Sequence, residues 1–187
     1  MRVTREEAAA SRERIIEEAS RLLRSRGLDG VGVAEIMKGA GLTHGGFYGH
    51  FASKQDLIAQ ACRRALESSA RRWQRVAAEA GPRALSAIAR SYLSTRHRDD
   101  PATGCVVASL ASEISRQDAT VRRELAGGIE SQIEMLARAT PGRAGAAKRR
   151  KVLASYAAMV GAMILARAVD DPHLSKEILD ATAEAVR

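Results

Sequence analysis

From Ser53 to Ala80 the chain contains neither glycine nor proline, and the break comes only at Gly81-Pro82. Ala, Leu, Arg, Glu and Gln dominate the stretch, all of them good helix formers. Ser53-Lys54-Gln55-Asp56 offers a capping signal at its start. The stretch therefore predicts one helix of roughly 40 Å, at 1.5 Å per residue over about 26 residues. A helix that long outruns one small packing unit. It must join the segments on either side of it as a rigid strut.

The rest of the chain carries the same period. Ile15, Ile16, Ala19, Leu22 and Leu23 recur at helical spacing, Thr4-x-x-Glu7 makes a capping box and Gly27 a stop, which places a helix over 5–26. Val33–Ala40, then the turn Gly41-Leu42-Thr43, then His44 to about His50 read as helix, glycine turn, helix. Beyond the strut the pattern predicts a helix from Pro82 toward the polar stretch 96–101, then helices over 104–115, 118–139, 146–169 and 174–186. Thr140-Pro141-Gly142-Arg143-Ala144-Gly145 is the clearest loop. No run alternates with period two between hairpin turns. The expected fold class is all-α, about nine helices.

Composition removes several function classes. The longest apolar run, Tyr156–Ala166, has eleven residues against the ~20 that a membrane span needs, so no span is expected. Met1-Arg2-Val3-Thr4-Arg5-Glu6-Glu7 has no apolar signal core, which predicts a cytoplasmic protein. Two cysteines, Cys62 and Cys105, cannot build a disulfide framework or a four-ligand zinc site. His44 and His50 have no metal-ligand spacing, and no nucleophile elbow or Walker loop is present. Gly39-Ala40-Gly41-Leu42-Thr43-His44-Gly45 only approximates a dinucleotide fingerprint, with a helix in place of the preceding strand. No cofactor, metal or catalytic residue is expected. A small-molecule-binding enzyme and a helical protein-interaction adaptor remain the alternatives. The net charge of +8 favours a polyanionic partner, but the surplus divides evenly between the two halves and does not locate the surface.

Local residues do. Three of the six aromatic residues, Phe47, Tyr48 and Phe51, fall within five positions beside His44 and His50. Phe47 and Phe51, four apart, share a face and suit anchoring. Tyr48 and His44 share another and suit phosphates or base edges. Gly45, Gly46 and Gly49 are poor helix formers, and glycine there lets something approach the backbone closely. Thr43 as N-cap puts a helix N-terminus behind it, which favours a phosphate. The same spacing also describes a small packed helical hairpin.

The run from Val33 to Leu57, with its glycine turn, aromatic pair and Ser53-Lys54 cap in order, resembles the DNA-binding signature of the TetR family of bacterial transcriptional regulators. The resemblance covers about residues 10–60. It implies a homodimer with an N-terminal helix-turn-helix domain (1–52) and a C-terminal ligand-binding and dimerisation domain (53–187). By the resemblance, Thr43, His44, Tyr48, His50 and Lys54 fall where members touch operator DNA, with the backbone at Gly45 and Gly46 close by and Lys54 neutralising a phosphate. Gly32 and Ala34 stand where many members carry Thr and a basic residue.

The segment Thr103–Glu113 is similar to a branch of the family in which a cysteine, here Cys105, senses electrophiles, and a thiol at a helix N-terminus suits that chemistry. A small buried apolar Cys is the other reading. Trp73, Tyr92, Met135, Tyr156, Met159 and Met163 lie on helices that the resemblance places around an effector pocket, and such walls suit an apolar ligand; the same residues also suit a plain core. Ala158, Gly161, Ala162 and Leu165, with Ile178, Ala181 and Ala185, lie on the two helices that would form a four-helix dimer interface. The expected function is a repressor, released from a palindromic operator by a small-molecule or electrophilic effector.

Overall fold

A computed structural model describes residues 4–186; the first three residues of the segment read for an export signal lie outside it. The described residues form nine α-helices and three short 3-10 turns, with no strand. Helix α1 (Arg5–Arg26) opens on Thr4, whose hydroxyl accepts from Glu7 N while Glu7 returns to Thr4 N, the reciprocal capping box. It closes at Gly27, where φ is +82°, a backbone region that costs glycine nothing. Helix α2 (Val33–Gly39) follows, and the strut is α3 (Lys54–Ala80). Then come α4 (Ala84–Tyr92), α5 (Thr95–Asp99), α6 (Val106–Ile114), α7 (Ala119–Ala139), α8 (Ala146–Ala168) and α9 (Pro172–Ala185).

Several expectations are corrected in detail. The helix expected over 44–50 is a 3-10 helix, His44–Gly49, because three glycines in six residues leave little preference for the α form. The helix expected from Pro82 is a 3-10 turn, Gly81–Arg83, followed by α4. The polar stretch read as its end holds α5, capped by Ser94, whose hydroxyl accepts from His97 N at 3.3 Å. The last helix starts two residues early, because Asp171 Oδ1 accepts from His173 N and Leu174 N and Pro172 suits the first helical position. At α3, Ser53 Oγ accepts from Asp56 N, but Asp56 returns to Ala52 N rather than to Ser53 N.

Helix α8 bears on the membrane expectation. Taken as a whole, Ala146–Ala168 holds an 18-residue window of mean hydropathy 1.3, long and apolar enough to cross a bilayer by length and composition alone, with 33% of it buried in the protein. The buried share includes Val152, Tyr156, Met159, Ala162, Met163 and Ala166.

One apolar core runs the length of the molecule, from Ile15 and Leu23 through Leu57 and Cys62 to Leu136 and Met159. Helix α3 carries it, packing on α1 at one end and on α7 and α4 at the other. Exposed ion pairs, Arg64 with Glu13 and Glu17 and Arg63 with Glu124, flank these contacts, and the burial beneath them supplies most of the stability.

Candidate nucleic-acid interface and ligand cavity

The segment 43–51 is fastened by its inner face. Phe47 and Phe51 are 1% and 2% exposed and stack at 5.6 Å between centroids. The Arg12 guanidinium sits 5.0 Å above the Phe51 ring and donates to the His50 carbonyl at 3.4 Å. Gly41 turns the chain before it with φ +73°, a conformation side-chain-bearing residues avoid.

The outer face is free. Thr43, His44, Gly45, Gly46 and Tyr48 are exposed, and Tyr48, with its ring edge-on to Phe47, is 77% exposed. A Cβ built on Gly45 or Gly49 would meet no atom within 4 Å, so nothing inside the protein asks for glycine there. His50 is half-buried. The Lys54 ammonium donates to the Leu28 carbonyl at 3.0 Å, which ties it to the loop after α1 and leaves its other N–H donors for a phosphate.

A second feature lies where α3, α4 and α5 meet. A cavity of about 410 Å³ is lined by Trp73, Tyr92 and Cys105, together with Arg72, Arg75 and Arg96. Trp73 meets Tyr92 and Tyr156 edge-on at 5.9 and 6.4 Å. Cys105 is the N-cap of α6 and is 2% exposed.

His97 fixes this corner. Its Nδ1 lies 2.6 Å from the Tyr92 carbonyl and its Nε2 accepts from Cys105 N at 2.9 Å. A carbonyl only accepts, so the ring is the neutral Nδ1–H tautomer. Burial first, then the Arg167 and Arg72 charges, push its pKa down to about 4 against the pull of the Tyr92 carbonyl. The Tyr92 hydroxyl is buried without a hydrogen-bond partner; burial and the neighbouring Cys105 thiol push the phenol well above its ordinary value.

Of the residues expected around an effector, the structure brings Trp73, Tyr92 and Cys105 together on one cavity, with Tyr156 packed behind Trp73. Met135 and Met159 are buried, 6% and 0% exposed, in the core. The arginines were missed, because only the fold brings Arg96 on α5 to Arg72 and Arg75 on α3. A groove of about 530 Å³ between α3 and α7 is lined by Leu66, Gly127, Gly128 and Gln132. Gln132 accepts there from the Tyr156 hydroxyl at 2.7 Å.

The third feature is an apolar stripe. Leu153, Ile164 and Leu165 on α8 and Leu174 on α9 are 41–55% exposed, and the exposed Ala158, Ala181 and Ala185 and half-buried Gly161 and Ile178 lie on the same two helices. Ala162, 4% exposed, instead faces the core of its own chain. Leu153 and Ile164 were not singled out from sequence, since apolar residues occupy more than one face of α8 beyond its basic first turns, nor was Leu174 in the first turn of α9.

Known proteins resemble this chain in sequence over one segment and in fold over nearly all of it. Residues 15–61 match the model of the bacterial regulatory proteins of the tetR family. The transcriptional regulator AcrR of Shigella flexneri is 39% identical over 59 residues, 32% of this chain and 27% of that protein. TtgR of Pseudomonas putida is 41% identical over 58 residues, 31% and 28% of the two chains. The sequence match thus spans little more than a quarter of these relatives. Structural likeness spans nearly everything: the reduced form of NemR from E. coli superposes with a TM-score of 0.77 at 22% identity, covering 95% of each chain. A TetR regulator from Chloroflexus aurantiacus gives 0.76 at 23%, over 97% of this chain and 96% of the other. At such identities the likeness establishes the fold. Residues 15–61 thus match the sequence signature of the tetR family of bacterial regulatory proteins, and the chain as a whole has a helical fold like that of the solved regulators.

Proposed function

We propose that this chain is a homodimeric DNA-binding transcriptional repressor in which residues 1–52 read the operator and residues 53–187 dimerise and bind the effector. The observation that carries the reading is the outer face of 43–49. It presents Thr43, His44 and Tyr48 beside two glycines that no neighbour requires, a surface shaped for close approach by a groove. Dimerisation through the α8 and α9 stripe would pair two such faces, and an operator with half-sites about 34–36 Å apart suits that geometry.

A gel-shift titration against the DNA upstream of its own gene tests it. Wild type should bind with an affinity that falls steeply with salt. Tyr48→Phe and His44→Ala should weaken binding while sedimentation still gives a dimer, and Leu165→Asp should abolish both. A monomeric protein indifferent to that DNA overturns the proposal.

For the effector, the cavity at Trp73, Tyr92 and Cys105 is the site we favour. Cys105 lines it at the N-terminus of α6, whereas burial pushes the Cys62 thiol up to about 12, which keeps it unreactive. An electrophile that reacts through this cavity should release DNA from wild type and not from Cys105→Ser. Equal release from both excludes the thiol as sensor.

A further inference from the structure

The effector cavity proposed above carries a charge imbalance that its aromatic wall conceals. Three arginines, Arg72, Arg75 and Arg96, line it against one carboxylate, Asp100. That carboxylate is already engaged: its two oxygens accept from Thr103 N at 3.3 Å and Thr103 Oγ1 at 2.6 Å. Arg75 and Arg96 are exposed and have no acidic partner or hydrogen bond among the described residues. Arg72 donates only to neutral oxygens, Thr103 O and Ser69 Oγ. Behind the wall, buried Arg24 and half-buried Arg167 likewise spend their donors on backbone carbonyls and, for Arg167, the Ser109 hydroxyl.

These cations feel one another. Burial lowers Arg24 and Arg72, and Arg72 lowers Arg24 further, as Arg75 does Arg72. Asp100 offsets only part of this positive charge, and a cluster with more guanidiniums than carboxylates is favoured by an anion that joins it. Trp73 and Tyr92 line the same cavity, and the Tyr92 hydroxyl, in a residue 4% exposed, has no hydrogen-bond partner among the described residues. A buried unpaired hydroxyl is unfavourable, and an entering acceptor would relieve it.

We infer that the cavity takes an organic anion: a carboxylate-bearing molecule with a compact apolar or aromatic body, its charge among Arg72, Arg75 and Arg96 and its body on Trp73 and Tyr92. The volume of about 410 Å³ lies within the ~300–1,000 Å³ of small-molecule sites. This inference rests on the effector reading for its regulatory meaning, but not for its chemistry.

Trp73 is the sole tryptophan and lines the cavity, so its fluorescence reports occupancy directly. The full-length protein is titrated at pH 7 with para-tert-butylbenzoate, with its neutral primary amide, and with the corresponding benzylammonium, which share a body and differ in charge. The carboxylate should bind about tenfold or more tighter than the amide, and the ammonium should not bind. The double variant Arg75→Gln/Arg96→Gln replaces two exposed, unpartnered side chains; it should lose the preference for the carboxylate while keeping the amide affinity. Equal binding of carboxylate and amide, no binding of the carboxylate up to millimolar concentration, or an unchanged preference in the double variant overturns the inference. Operator affinity is read in parallel. Carboxylate bound with DNA affinity unaltered would refute the effector role of the cavity and leave its ligand class standing.

Discussion

The Arg24 guanidinium donates to the carbonyl of Gly104 at 2.7 Å, across eighty positions of sequence. Its Nε holds Ser20 O within its own helix at 2.8 Å, so the side chain reaches from α1 to the residue just before Cys105 in a fixed direction. At the far end of α6, Glu113 accepts from Leu28 N at 2.7 Å. Helix α6 is thus fastened at both ends to the unit that carries the candidate DNA face, and one of those ends is a wall of the cavity. A shift of α6 on ligand entry would bear on this unit as well as on α7 and α8, a contiguous contact through which a population shift could act.

Removing one fastening should loosen the unit without unfolding it. Glu113→Ala leaves Leu28 N without its acceptor and should cost about 1–3 kcal/mol in urea unfolding. Glu113→Gln keeps an acceptor and should cost less than half as much. Equal losses for the two variants would mean that the carboxylate matters through its charge.

His97 makes stability depend on pH. Its imidazole titrates near 6.5 in an unfolded chain, and burial with the Arg167 and Arg72 charges holds it at about 4 in the fold. Between those values the unfolded chain takes up a proton that the fold refuses. Stability is therefore lost as pH falls from about 6.5 toward 4, and the loss levels off below. From pH 7 to pH 5 the group should account for about 2 kcal/mol. His97→Gln should unfold with a correspondingly smaller difference between the two pH values; identical pH dependence in variant and wild type would remove His97 as the cause.

Much of this architecture is legible in the sequence, because helix ends are written in local chemistry. Thr4 with Glu7, Gly27, Ser53 with Asp56 and Gly81-Pro82 each act within a turn or two, and the observed ends of α1 and α3 fall on them. The 3-10 form of 44–49 was not legible, since its glycines express no strong preference and the form follows from the anchoring of Phe47 and Phe51. Nor was the cavity. Trp73, Tyr92 and Cys105 stand out by residue type, but the meeting of Arg72, Arg75 and Arg96 depends on how α3 and α5 cross.

The tandem Gly127-Gly128 in α7 separates two uses of glycine. A Cβ on Gly128 would fall 2.3 Å from Leu66 Cδ1, whereas one on Gly127 meets nothing within 4 Å. Gly128→Ala should therefore destabilise by about 1–3 kcal/mol through overpacking of α3 on α7. Gly127→Ala should stabilise by up to about 1 kcal/mol, the helix-propensity difference. Thermal unfolding of the two single variants checks the opposite signs, and a shared sign would show that the groove collapses around either residue.

Gly49 poses the same question at the candidate DNA face, where the answer bears on function. A Cβ there meets no atom of the protein within 4 Å, and its backbone has no positive φ. Alanine should thus be neutral or stabilising by a few tenths of a kcal/mol to about 1 kcal/mol, since it restricts the unfolded chain. If glycine is kept because DNA backbone or base edges approach there, the same methyl should lower operator affinity while the dimer and its unfolding transition are unimpaired. Gly32→Ala is the control: it also meets open space, and it sits at the uncapped start of α2 rather than on the outer face of 43–49. A variant at Gly49 that is both stable and fully competent for DNA would move the reading surface away from this edge, toward α2 and Lys54.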